Sequence, residues 1–296
     1  MEIIGNINSN CSDNVPVHTG LGDCNKQEGK TVALLISKRN AVYPLEAAAF
    51  NTGLIGANGY VNTDSGLRLL PLKSIINNTP TGGDIATVDV GFAGPRPSGY
   101  NAFSELYQID AGDCLYKQLA QLNKTRARVF RVDDQGNIYG TAVMIDGEKK
   151  FVGFDSYLMT QRTKGSDNSV IYSLSLAVYY SVDYSSIELP NLHSFVVNQI
   201  PEGLIGVTLE KGPTTGTAKV VSTCDGQDYT SNYGSEWMPN MFANVAGASP
   251  TTVTYSASTG LLTFAPIAAY RIKSAPTLIA GDIQGLEGVN NYVDLT

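Results

Sequence analysis

From residue 170 to residue 182 apolar and small or polar positions alternate without a break. Val170, Tyr172, Leu174, Leu176, Val178, Tyr180 and Val182 share one parity. Ile171, Ser173, Ser175, Ala177, Tyr179 and Ser181 share the other. A period of two predicts a β-strand with one buried face and one small, mostly polar face. At about 3.3 Å per residue it would span roughly 40 Å, well beyond the usual strand of five or six residues. Upstream the period changes. Leu115, Leu119 and Leu122 recur at i, i+4 and i+7, which predicts an amphipathic helix. Asp110 is its expected N-cap, Asp113 suits its first turn, and Lys117 and Lys124 complement the dipole of its C-terminal half. Residues 102–109 read as a strand before this helix. Residues 125–132 and 138–142 read as a hairpin about an Asp/Gly turn, and residues 150–159 as a further single strand.

Outside this stretch the pattern is more broken. Residues 31–37 form a short apolar run that predicts a buried strand, and residues 44–50 could start a short helix with Pro44 in its first turn. Residues 65–77 stay ambiguous: their Leu and Ile spacing is partly helical, but Pro71 breaks or kinks any helix there. Residues 85–90 alternate and could pair in a sheet, whereas Gly94-Pro95-Arg96-Pro97-Ser98-Gly99-Tyr100 reads as a stiff connection or exposed loop. Residues 185–215 carry Pro190, Pro201 and a Gly/Thr-rich end. New short strands begin near residue 217, a hairpin turns at residues 257–260, and residues 268–279 look like one more strand. The expected class is mainly β with one flanking helix, in two domains of residues 1–204 and 205–296. No internal repeat of 20–50 residues is visible.

A chain of 296 residues holds one large or two medium domains. Charged residues make up only 16%, while Gly numbers 30 and Tyr 16. This suits a β-rich protein with many turns, and a weakly charged, Tyr-rich surface suits extensive protein contacts. The formal net charge is −7, with no Lys/Arg run, which disfavours tight binding to nucleic acid through phosphate. The same acidity either lets DNA slide past without sticking or serves solubility alone. The first ten residues lack a basic region and an apolar core, so no signal peptide is visible. No apolar run reaches 18 residues, so no membrane span is expected.

Candidate chemistry is sparse. Neither His18 nor His193 has nearby partners for a triad or a metal site. Asp133 and Asp134 are followed by Gln135-Gly136-Asn137, which does not supply the alternating ligands of a calcium loop and reads better as an Asx-rich turn. There is no phosphate-binding loop, dinucleotide fingerprint or nucleophile elbow. No enzyme activity, metal or cofactor is expected. Cys11, Cys24, Cys114 and Cys224 are widely spaced. Cys114 reads as a buried free thiol on the predicted helix, and Cys11 and Cys24 either pair or stay free. Trp237, with Tyr229 and Tyr233, is either an exposed aromatic contact for a sugar or partner, or a core anchor.

The order of elements carries a resemblance. It runs through residues 110–123 (DAGDCLYKQLAQLN), 127–141 (ARVFRVDDQGNIYGT), 149–158 (KKFVGFDSYL) and 168–180 (NSVIYSLSLAVYY). This order resembles virion proteins of tailed bacteriophages, in particular tail tube proteins of phages that infect Bacteroidetes-type bacteria. The lead-in of residues 14–37 is similar to the opening of structural proteins from the same phages. The resemblance covers about two-thirds of the chain. It implies a β-sandwich or barrel subunit with a flanking helix and a small C-terminal immunoglobulin-like β-sandwich. Such subunits form hexameric rings that stack into a conduit for genome ejection, assembled in the host cytoplasm and carried in the virion tail. The implied partners are further copies of the chain and other tail proteins, with DNA passing unbound and no membrane. Ser173, Ser175 and Ser181 would then face a lumen or a subunit seam. A head–tail connector, a tail terminator, a capsid-decorating protein and a carbohydrate-binding adhesive protein are the alternatives.

Overall fold

A computed structural model describes residues 29–45, 66–73, 75–134, 137–163, 173–181 and 203–296. The chain divides into two compact units between Pro201 and Glu202. The described residues are mostly β-sheet with a few short helices.

In the first unit the strands are β1 (Thr31–Lys38), β2 (Tyr43–Pro44), β3 (Leu70–Leu72), β4 (Ile75–Thr81), β5 (Ile85–Asp89), β6 (Pro95–Tyr100) and β7 (Ser104–Ile109). Helix α1 (Asp113–Ala120) follows, then β8 (Arg126–Asp133), β9 (Ile138–Tyr139), β10 (Thr141–Ile145), β11 (Glu148–Val152), β12 (Phe154–Thr163) and β13 (Ser173–Tyr180). The main sheet has the order β3-β1-β8-β12-β13-β7-β4, with β9 beside β8. Its two end strands, β3 and β4, are consecutive in the chain with only two residues between them, and β1 lies against both. The sheet therefore rolls back on itself. Its inner face closes round a core of Leu34, Ile36, Tyr107, Ile109, Val129, Phe154 and Leu158 with Leu174, Leu176, Val178 and Tyr180 of β13. Leu115, Leu119 and Leu122 bring α1 onto this core, so the apolar stripe does what its spacing predicts. The opposite face of β1 and β8 is covered by a small sheet, β10-β11-β2, over Leu35, Tyr43, Phe130, Val132 and Phe151.

Several expectations change here. The alternation of β13 is seen at residues 173–180, Ser181 follows the strand, and residues 170–172 and 182 of the expected long strand lie outside the described residues. Pro44, expected in the first turn of a short helix over 44–50, ends strand β2 instead, and residues 46–50 lie outside the described residues. Gly112, not Asp110, caps α1, and no side chain caps it. Lys124 lies past the helix at positive φ, where its N–H donates to the Leu158 carbonyl at 3.0 Å. The single strand expected over 150–159 is two strands in different sheets. Gly153 separates them at a close crossing, where a Cβ would come within 2.8 Å of the Val129 backbone nitrogen. Residues 95–100 are a strand, not a loop.

The second unit holds β14 (Ile205–Lys211), β15 (Thr217–Ser222), the one-turn helix α2 (Thr230–Tyr233), β16 (Phe242–Asn244), β17 (Thr252–Ser256), β18 (Leu261–Ala265), β19 (Ala269–Ile272), helix α3 (Ala275–Ile279), β20 (Leu286–Gly288) and β21 (Val293–Asp294). A five-stranded sheet, β17-β18-β15-β14-β20, and a three-stranded sheet, β16-β19-β21, share one core of Val207, Leu209, Val220, Phe242, Phe264, Tyr270 and Leu278. The hairpin expected over 252–264 is present as β17–β18. The strand expected over 268–279 stops at Ile272, because Ser274 and Pro276 start α3. β14 was hidden by the glycines and prolines around it.

Candidate assembly surface

The edge of the rolled sheet extends into an arm. Strands β4 and β7 pair as the sheet's last rung, and their chain continues as β5 and β6, which among the described residues pair only with each other. Two hydrogen bonds bridge the junction: Gly83 N–H donates to the Asn101 carbonyl at 3.2 Å, and Asn101 N–H to that of Asp84 at 2.8 Å. Gly82 and Gly83 take φ values of 83° and 79°, and a Cβ on Gly82 would lie 1.9 Å from the Ala102 carbonyl oxygen. Only glycine fits that bend. At the far end a 3-10 turn over Gly91–Ala93 is held by the Asp89 carboxylate, which accepts from Gly91 N–H at 3.0 Å.

This arm has no core of its own. Ile85, Val88, Val90 and Tyr100 are all at least half exposed, and Phe92 at the tip is fully exposed. An isolated two-stranded ribbon is marginal in water at best, and contiguous exposed apolar groups mark an interaction surface.

A second bare surface lies on the rolled sheet. The outer sides of β12 and β13 present Tyr157, Met159 and Tyr179, with Tyr157 registered against Tyr179. The Arg126 guanidinium sits over the Tyr157 ring at 5.5 Å and pairs with Asp155. Ser173 and Ser175 share this side of β13, Ser173 half-buried and Ser175 buried. Ser181 follows β13, half-buried, its N–H donating to the Asp155 carbonyl at 2.8 Å.

The enclosed core carries charge. Arg131 and Glu105 are buried, with Nη1 3.5 Å from Oε2. Tyr180 donates its hydroxyl to the same carboxylate oxygen at 2.7 Å, and Tyr107 donates to it as well. The guanidinium lies 5.3–5.9 Å from the ring centroids of Tyr139, Phe154 and Tyr180. Burial, reinforced by the Glu105 carboxylate, holds the Tyr107 and Tyr180 phenols well above their ordinary range. Glu105 on β7 and Arg131 on β8 are separated in the sheet by two strands, β12 and β13, so the pair reaches across the interior.

Asp133 is a structural turn residue. It accepts from Asn137 N–H at 2.7 Å, from the Tyr139 hydroxyl at 2.6 Å and from Gly29 N–H at 3.3 Å. Among the described residues no group of three or more His, Cys, Asp and Glu is placed to hold a metal.

Trp237 is buried in the core of the second unit, its indole N–H donating to the Thr230 carbonyl at 3.3 Å and Tyr233 meeting it edge-on at 5.9 Å. Tyr233 donates to the Gln284 carbonyl, and Tyr229 to Gln227. The three aromatics therefore form no open platform, because the indole is enclosed. The free-thiol reading of Cys114 is also corrected. Cys114 and Cys224 are both disulfide-bonded. Cys114 sits in the first turn of α1, off the Leu115–Leu119–Leu122 stripe and half-buried, so the core does not enclose it. Cys11 and Cys24 lie outside the described residues.

No described helix is long and apolar enough to cross a membrane. Comparison with protein-family models, with curated proteins and with solved structures finds no match.

The arm is the feature that residue patterns least suggested. The available signal was Pro95 and Pro97 two apart opposite an alternating run, a spacing that suits one edge of a strand as well as a stiff connection.

Proposed function

We propose that the chain is a self-assembling virion structural subunit, a tail tube protein whose copies form stacked rings, hexameric as the resemblance implies, that conduct the genome. The observation that carries this reading is the exposed arm of residues 82–103, built outward from the edge of a rolled sheet with no strand partner among the described residues of its own unit. A monomeric protein has no use for a fully exposed Phe at the end of an apolar ribbon. A subunit that must grip its neighbours does. Weak surface charge and net acidity fit a passage through which DNA moves without adhering. In this reading the chain is no enzyme and needs no cofactor. Its disulfides close once the particle leaves the reducing cytoplasm in which it is built.

Sedimentation velocity of the wild-type chain and of Phe92→Ser tests this. The wild type is expected to form rings or larger species. The variant is expected to fold normally and to shift at least tenfold in concentration toward the monomer. Wild-type protein that stays monomeric throughout the accessible range would refute the reading. A head–tail connector, which needs one ring rather than many, is distinguished by assembly that stops at a single ring.

A further inference from the structure

The arm has two long edges, and they are not equivalent. Register pairs Thr87 with Pro97 and Asp89 with Pro95. Val90 N–H donates to the Gly94 carbonyl, so residue 90 points its backbone groups into the ribbon. Alternation then turns Ala86 and Val88 inward and Ile85, Thr87 and Asp89 outward. Across the ribbon Pro95 and Pro97 are the outward residues of β6. Proline there sacrifices no bond within the arm, yet leaves the outer edge of β6 without donors at two successive positions. The neighbouring strand β4 carries Pro80. Proteins use edge prolines to stop unwanted strand pairing. The outer edge of β5 has no such guard. It is a run of five residues, Ile-Ala-Thr-Val-Asp, whose three N–H groups directed away from β6 meet no acceptor among the described residues.

We infer that the outer edge of β5 is a strand-addition site, occupied in the assembly by an extended segment of a second copy of this chain. This rests on the self-assembly reading above and names the contact that the arm makes. Charge favours the chain's own segments as occupant. The edge is flanked by the carboxylates Asp84 and Asp89 and carries no cation, so an added strand must bring no facing carboxylate. The chain supplies such a strand in β17, Thr-Val-Thr-Tyr-Ser, which carries no charge and is the end strand of its own sheet. Main-chain hydrogen bonds give the affinity of such an addition, and the exposed side chains of Ile85 and Val88 beside it gain cover. With β6 closed by proline, the arm accepts one strand and stops, which blocks runaway pairing of arms.

The test is Thr87→Pro in the full chain, with Thr87→Val as its control. Proline at this outward position keeps every bond inside the arm, as Pro95 and Pro97 do, but removes the central donor of the open edge. Thr87→Val keeps the donor and changes only the side chain. Mass in solution and amide hydrogen exchange are read together. The expected result is that wild type and Thr87→Val assemble alike, with the Ile85, Thr87 and Asp89 amides of the wild type slowed at least tenfold in the assembly, while Thr87→Pro needs at least tenfold more protein to assemble. Undiminished assembly of Thr87→Pro, or freely exchanging β5 amides in the wild-type assembly, overturns this inference and leaves self-assembly standing. A wild-type chain that never associates overturns both.

Discussion

Removing Arg131 should be among the most damaging single changes in the first unit. Arg131→Met leaves the side-chain volume nearly intact and deletes only the charge and its donors. The Glu105 carboxylate then stays buried at 4% exposure, left with neutral donors only: the hydroxyls of Tyr107 and Tyr180 and, at 3.4 Å, the Asn78 amide. Breaking a buried pair from one side typically costs about 3–5 kcal/mol, because the orphaned charge keeps its desolvation penalty. With a urea slope of about 2 kcal/mol per molar, a loss of ~4 kcal/mol moves the midpoint down by about 2 M. The double variant Arg131→Met/Glu105→Gln should recover most of this. It removes both charges and keeps an acceptor for the two tyrosines. Trp237 is the only tryptophan and lies in the second unit, so its fluorescence supplies an internal control, while near-ultraviolet circular dichroism of the tyrosines follows the first unit. A single variant that loses less than about 1 kcal/mol would refute the buried pair as a strut across the rolled sheet. So would a double variant no better than the single.

Three further outcomes follow from the same geometry. Burial pushes the Tyr43 phenol up to about 12 and also raises those of Tyr107 and Tyr180 well above their ordinary value. A phenol whose folded value exceeds its unfolded value of about 10 contributes stability that is whole below pH 10 and is lost as pH rises through the folded value. The first unit should therefore hold its circular dichroism to about pH 10 and unfold above it, with the buried phenolates appearing at 295 nm only on unfolding; ionisation of all tyrosines near pH 10 with the fold intact would contradict this. Gly153→Ala places a Cβ against the Val129 backbone and should cost about 2 kcal/mol or more by urea titration, whereas Gly147→Ala in the open turn after β10 meets nothing and loses only the ease of its positive φ, about 1 kcal/mol. Trp237→Ala should destabilise the second unit by about 3–5 kcal/mol, and a loss under 1 kcal/mol would mean that the indole is not the anchor its burial indicates.

The sequence was legible wherever one element faces one environment along its whole length. β13 alternates because one side lines the enclosed core and the other does not, and α1 shows its stripe because it packs by one side only. The β17–β18 hairpin is announced by its own turn. Legibility failed where a distant contact decides. Nothing local in residues 148–163 says that Gly153 passes against Val129 and splits one apparent strand between two sheets. Pro95 and Pro97 read as linker residues until β5 is set opposite them and both fall on the outward side. Glu105 and Arg131 look like ordinary surface charges in alternating strands. Only the rolling of the sheet encloses them together. Trp237 admitted both a surface and a core reading, because an aromatic residue among prolines and methionines has no periodicity to place it. The arm itself shows as alternation at residues 85–90, but its exposure on all sides is a tertiary fact.

Self-assembly through the arm is the claim on which the functional reading turns, and negative-stain electron microscopy of the purified full chain tests it most directly. Rings with a central hole, stacked into short tubes, are the expected images. Isolated particles of monomer size at every concentration, with both units folded, would contradict it.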